Sequence, residues 1–213
     1  MDALTRGRLL SPGLSVAWPS LVPMTRGITA DLQRYLQQCR ESVLRSLAGL
    51  SEYDIRRPMT PTATNLLGLV KHLGGIEFGY LGDSVGRPTP VPIPWEEDGS
   101  VWDNADMWAK ADESREYHLD LYRRSWQHSD ESIEQLPLDA PASVPWWPEE
   151  RRRTTFGSLL VRVVAETAQH AGHADILREM IDAEAGRPHP LMTDEQRWSD
   201  YTRQIQEAAD QHR

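Results

Sequence analysis

From Phe156 to Ile181 the chain carries a stripe at helical spacing: Phe156, Leu159, Val163, Thr167, His170, Ala174, Leu177 and Ile181. A stripe of that length needs a partner surface, so the chain has to fold as packed helices around it. Polar groups interrupt it at Glu166, His170 and His173. On a helix wheel of about 100° per residue centred on His170, Val163, Leu177 and Ile181 fall within roughly 20°. Glu166 then sits about 40° to one side and His173 about 60° to the same side. His170 is therefore in the middle of the stripe, with Glu166 and His173 at its margin. A carboxylate at the edge of a core needs a cation, a set of hydrogen bonds or a raised pKa. Residues four apart on a helix are neighbours, so Glu166 and His170 can grip one divalent ion from one side. A third ligand must then come from another helix. His72, flanked by Leu69, Leu73 and Ile76, is the candidate.

Three more segments show helical periodicity. Residues 31–50 carry Leu32, Leu36, Val43, Leu44 and Leu47, and Gly49 ends the pattern. Residues 62–81 carry Leu66, Leu69, Val70, Leu73, Ile76 and Tyr80, with Thr62 or Thr64 as the expected N-cap. Residues 106–136 place Tyr117, Leu121, Trp126 and Ile133 inward. The fourth helix opens at Thr154 or Thr155 and runs to about Ala185, before Gly186 and Pro188. Long links separate these segments. Residues 86–105 hold Pro88, Pro90, Pro92 and Pro94, and residues 137–153 hold Pro145-Trp-Trp-Pro148. No strand-like alternation or internal repeat is visible. The expected fold is all-α, a four-helix bundle with two crossover links.

The expected domain layout is an N-terminal extension over 1–27, the bundle over 28–186 and a tail over 187–213. The extension holds three prolines and no helical period, and Met24 is an alternative start. The tail carries a short polar helix at 193–210, expected to pack outside through Trp198, Tyr201 and Ile205.

Composition narrows the function classes. Hydrophobic residues at 39% and charged residues at 26% describe a globular chain rather than a disordered one. A net charge of −9 argues against non-specific nucleic-acid binding. No apolar run approaches the roughly 20 residues that span a bilayer. Cys39 is the one cysteine, which excludes an internal disulfide and suits a reducing cytoplasm. Eight tryptophans against two phenylalanines is unusual, and six of them lie between Trp95 and Trp147. Such rings line pockets or seal irregular links onto a bundle, and the sequence leaves both open. His118, His128, His189 and His212 read as exposed.

Two imidazoles and a carboxylate suit zinc, and nickel, iron and manganese accept the same donors. An open coordination position would activate water or a thiol near neutral pH. Such a site fits a non-catalytic metal-binding stress or partner-binding bundle, or a metal-assisted hydrolase. The chain has no Gly-rich phosphate loop, Gly-x-Ser-x-Gly elbow or Cys-x-x-Cys pair.

Thr64-Asn-Leu-Leu-Gly-Leu-Val-Lys-His72-Leu, Pro145-Trp-Trp-Pro148 and Ala165-Glu-Thr-Ala-Gln-His-Ala-Gly-His-Ala-Asp-Ile176 resemble the DinB-like superfamily. The chain is most similar to its actinobacterial branch of mini-circle proteins. The resemblance covers about 28–186 and implies a bundle of up-down-down-up order. It also implies divalent-metal ligation through His72, Glu166 and His170, with Glu at the first position of the pair on the last helix. That arrangement is similar to the N-terminal domains of mycothiol-dependent maleylpyruvate isomerases. The implied chemistry is that of a thiol S-transferase or isomerase: activation of a small thiol such as mycothiol for attack on a small electrophile. His173 then becomes a supporting group behind the ligands or an alternative ligand. Trp146 and Trp147 would wall the open side. Arg151 and Arg153 would meet the thiol cofactor or form a solvated basic turn. A homodimer is a further implication.

Overall fold

The computed structural model describes residues 27–182 and 195–213. The expectations about the N-terminal extension, Met24, His189 and the end of the fourth helix near Ala185 lie outside the described residues. The elements are α1 (Ile28–Ser46), α2 (Glu52–Arg56), α3 (Leu66–Leu81), α4 (Pro94–Glu97), α5 (Arg115–Gln135), β1 (Pro141–Ser143), β2 (Arg153–Thr155), α6 (Phe156–Asp182) and α7 (Glu195–Asp210). Short 3-10 turns punctuate the link between α3 and α5.

Cross-helix contacts set the directions. Arg40 on α1 meets Glu77 on α3, while Ser46 on α1 meets Asp175 on α6. Leu36, earlier on α1, packs in one cluster with Tyr80, Leu81, Phe156 and Leu160. So α1 runs parallel to α6 and opposite to α3. Lys71 and Gly74 on α3 lie beside Glu113 and Tyr122, and Gly82 lies beside His128. So α5 runs parallel to α3. His72 meets Glu166 and Tyr80 meets Arg162, which makes α6 antiparallel to α3. The order is up-down-down-up. Two consecutive helices running the same way require a long return, and residues 82–114 supply it.

α3 lies against both α5 and α6, and the return link covers it, so nearly all of its residues are buried. Its apolar surface is therefore not a stripe but the whole cylinder. One core cluster centres on Val43, Leu47, Leu66, Leu69, Leu73 and Leu177. A second centres on Leu36, Tyr80, Phe156, Leu159 and Val163. A third, with Phe78, Ile93, Trp95 and Leu121, fastens the return link to the bundle.

Several boundaries differ from the sequence expectation. α3 begins at Leu66, because Asn65 rather than Thr62 or Thr64 caps it, accepting the Gly68 N–H at 2.8 Å. α5 begins at Arg115 with Ser114 as cap, and residues 105–107 form only one 3-10 turn. The loop after α1 contains α2, capped by Ser51. β1 and β2 form a three-residue antiparallel ladder that pinches off the Pro145–Pro148 loop, too short to show alternation in the sequence. Tyr117 is exposed, not inward, and every residue of α7 is exposed, Trp198, Tyr201 and Ile205 included. His118 is fully buried beside Trp95, and His128 is half-buried; only His212 is exposed as expected. No helix among the described residues is long and apolar enough to cross a membrane.

Candidate metal centre

His72 enters from α3, and Glu166 and His170 enter from successive turns of α6. Because the two helices pack against each other, the three side chains converge. Glu166 Oε1 lies 3.3 Å from His170 Nε2 and 3.6 Å from His72 Nε2. One ligand atom from each of the three lies within 4.8 Å of the other two. Donors about 2.1 Å from a tetrahedral ion stand roughly 3.4 Å from one another, so this spacing fits a single divalent ion. The donor chemistry fits as well. Among the described residues no lysine or arginine pairs with Glu166, whose ion-pairing contacts are the two imidazoles. Burial, reinforced by His72, pushes the His170 pKa down, which leaves a neutral imidazole with a lone pair to offer.

Each histidine is held from behind. His72 Nδ1 is 2.6 Å from Asp106 Oδ2. That contact puts the proton on Nδ1 and directs the Nε2 lone pair toward Glu166. His170 Nδ1 is 3.3 Å from Nδ1 of the exposed His173, again leaving Nε2 free to face Glu166. His173 thus stands behind His170 and outside the converging group.

The sequence reading missed Asp106, which lies in a link without periodicity. What brings it to His72 is a close backbone approach. A Cβ on Gly68 would lie 1.8 Å from the Met107 carbonyl oxygen, so only glycine allows the turn at 105–107 to sit on α3. Asn65 ties the same carbonyl through its Nδ2 at 3.1 Å. One residue therefore caps α3 and anchors the turn that carries Asp106.

His72 and Asp106 also form part of the wall of a cavity of about 430 Å³. Its other walls include Tyr80, Trp95, Trp102 and Trp146, with Glu96 at the rim of α4. The Tyr80 hydroxyl accepts from Trp146 Nε1 at 3.3 Å and from Trp147 Nε1 at 3.2 Å, which fastens the Pro145–Pro148 loop to α3. Trp146 faces the cavity, whereas Trp147 packs on the second core cluster under Arg162. Arg151 and Arg153 are exposed, and neither belongs to the cavity wall. Both readings of the tryptophan surplus hold: Trp102 and Trp146 line the cavity, and Trp95 both seals the return link and lines the cavity.

The mycothiol S-transferase family model matches residues 31–183. The chain belongs to that family. The match runs from the first turn of α1 through all described residues of α6, and so includes every residue of the converging triad. As a mycothiol S-transferase family member the chain also belongs to the DinB-like superfamily suggested by its motifs. A comparison with curated proteins finds no match.

Proposed function

We propose that this chain is a divalent-metal-dependent S-transferase that joins a low-molecular-weight thiol, mycothiol in the first instance, to a small electrophile. The observation that carries this reading is the convergence of His72, Glu166 and His170 at ligand spacing on the edge of a small-molecule-sized cavity. A divalent ion, zinc first among zinc, nickel, iron and manganese, lowers the pKa of a coordinated thiol so that thiolate forms near neutral pH. The chain's own residues prepare for this. Asp106 and His173 orient the two imidazoles, and burial keeps His170 unprotonated. Glu166 supplies the one negative charge in the triad. Three protein donors leave room for a fourth partner, which separates a reactive site from a closed structural one. Tyr80 and Trp146 give the cavity apolar walls that limit water near the sulfur. Cys39 is on α1 beside the core and does not line the cavity, so the attacking sulfur comes from the co-substrate.

The test is a cobalt-substituted sample titrated with mycothiol. A shift of the cobalt absorption, together with conjugation that needs both metal and thiol, supports the proposal. Tight metal retention without any thiol response would favour a non-catalytic metal-binding bundle. Turnover of esters or amides without thiol would favour a hydrolase.

A further inference from the structure

The cavity wall holds more information than the triad. Among the described residues no lysine or arginine lines it. The nearby cation Lys71 stacks on the Trp95 ring at 4.3 Å, but Nζ is held by the Trp108 carbonyl at 3.0 Å and by Glu113 at 3.1 Å. The ionisable side chains that do line the cavity, apart from His72 and Tyr80, are the carboxyls Glu96 and Asp106. Asp106 is engaged with His72, whereas the Glu96 carboxyl has no hydrogen-bond or ion-pair partner among the described residues. Burial among the walls, with repulsion from Asp83 and Asp106, raises the Glu96 carboxyl to about 7, although one side of it stays open to water.

A second polar group points to a ligand independently. Trp95 is 3% exposed, and its Nε1–H is buried without a hydrogen-bond partner. A buried N–H left unpaired is costly, so a donor in this state at a cavity wall is poised for an acceptor on a ligand. Both groups flank Gly75. A Cβ there would stand 3.0 Å from Glu96 Oε1 and 3.9 Å from Trp95 Nε1. The missing side chain lets α4 come close to α3 here, which sets the Glu96 carboxyl and the Trp95 indole N–H side by side at the cavity wall. Around it, Tyr80, Trp102 and Trp146 supply ring faces, which suit flat apolar groups and cations.

We infer that the subsite formed by Trp95, Glu96 and the bare face of Gly75 selects a flat, neutral or cationic electrophile and rejects an anionic one. Such a ligand accepts a hydrogen bond from Trp95 Nε1 and presents an N–H or O–H to Glu96. A secondary aryl amide has this pattern of adjacent acceptor and donor. At the Trp95–Glu96 wall a carboxylate meets the Glu96 carboxyl and no cationic side chain, so no side chain there offsets its lost hydration, and only an ion at the triad would attract it. The inference rests on the S-transferase reading for the reaction but not for the binding.

Chloroacetanilides carrying a para methyl, trimethylammonium or carboxylate group share one reactive carbon and differ in charge. In the conjugation the thiolate sulfur forms a bond to the CH₂ carbon as the C–Cl bond breaks. Chloride leaves with the electron pair, and the thiol proton goes to solvent. The unreactive acetanilides of the same three kinds are titrated into the metal-loaded protein by calorimetry, without thiol. The methyl and trimethylammonium compounds are expected to bind, and to turn over with mycothiol, about tenfold better than the carboxylate. Glu96→Gln should close most of that gap, and Trp95→Phe should weaken all three by about fivefold. The wild-type series decides the matter even where a variant at Trp95 fails to fold. A carboxylate compound binding within about twofold of the others overturns the inference. If the acetanilides bind in the expected order but no thiol is ever conjugated, the subsite stands and the S-transferase reading falls. Conjugation without the charge order does the reverse.

Discussion

Glu77 and His72 lie little more than one turn apart on α3, and each enters a cluster of polar side chains, but the two clusters are balanced differently. Glu77 is fully buried and meets Arg40, whose Nε donates to Oε1 at 2.9 Å, while Arg40 Nη1 reaches Asp130 at 2.9 Å. Burial pushes the Glu77 pKa up, and the Arg40 charge opposes that shift. Every charge there has an opposite charge in contact, and Trp126 covers the guanidinium. The His72 cluster has no such balance. Glu166 meets only imidazoles, one of which burial keeps neutral, and its side chain remains 27% exposed. A closed, compensated cluster ties helices together. An open cluster of converging donors leaves room for something from outside the chain.

The comparison breaks first at Arg40. Replacing it by alanine leaves Glu77 buried without its partner, and should cost about 3–5 kcal/mol in urea unfolding. Metal content per folded molecule should not change. A cost near zero would mean that the cluster does not hold the bundle.

Substitution at the open cluster should have the opposite signature. His72→Ala and His170→Ala should each lower metal affinity more than about a hundredfold, beyond the loss caused by removing an outer partner. Elemental analysis then finds most of the metal gone, and stability in urea falls by only about 1 kcal/mol. Full occupancy in either variant would refute the ligand assignment. Much earlier melting would make the ion structural.

A finer test concerns the support behind the ligands. Asp106→Asn should weaken metal binding by about 10- to 100-fold in competition with a chelator. Gly68→Ala should act in the same direction without touching a ligand, because its Cβ would strike the Met107 carbonyl and shift the turn that carries Asp106.

The smallest effect is expected at Glu96, with its carboxyl raised to about 7. A group whose pKa is higher in the folded chain contributes stability below its ordinary value and loses it as pH rises through 7. Wild type should therefore lose stability relative to Glu96→Gln between about pH 5 and 8, by about 1 kcal/mol or less given the group's access to water. Parallel urea titrations at the two ends of that range measure it. A gap that stays constant or moves the other way would place Glu96 in ordinary solvent.

Much of this architecture was legible in the residues. The long helices, the all-α class and the three candidate ligands follow from periodic patterns, because helix geometry turns sequence spacing into position on a face. His170 in the middle of the α6 stripe and Glu166 at its margin illustrate this. The links did not yield in the same way. Asp106 lies in a link where no pattern marks it, and His118 reads as exposed although the fold buries it. Each of these depends on what a non-repeating segment meets across the fold, which no period encodes.

By itself, then, the sequence determined that helices would form here, which faces they would bury and which donors the second and fourth long helices would offer. The tertiary structure decided the rest. It put Asp106 behind His72, set an unpaired indole beside Glu96 and opened a cavity between them. The physical reason is close approach: side chains missing at Gly68 and Gly75 let a loop and a short helix come against α3. Such contacts arise only when distant segments meet in the folded chain.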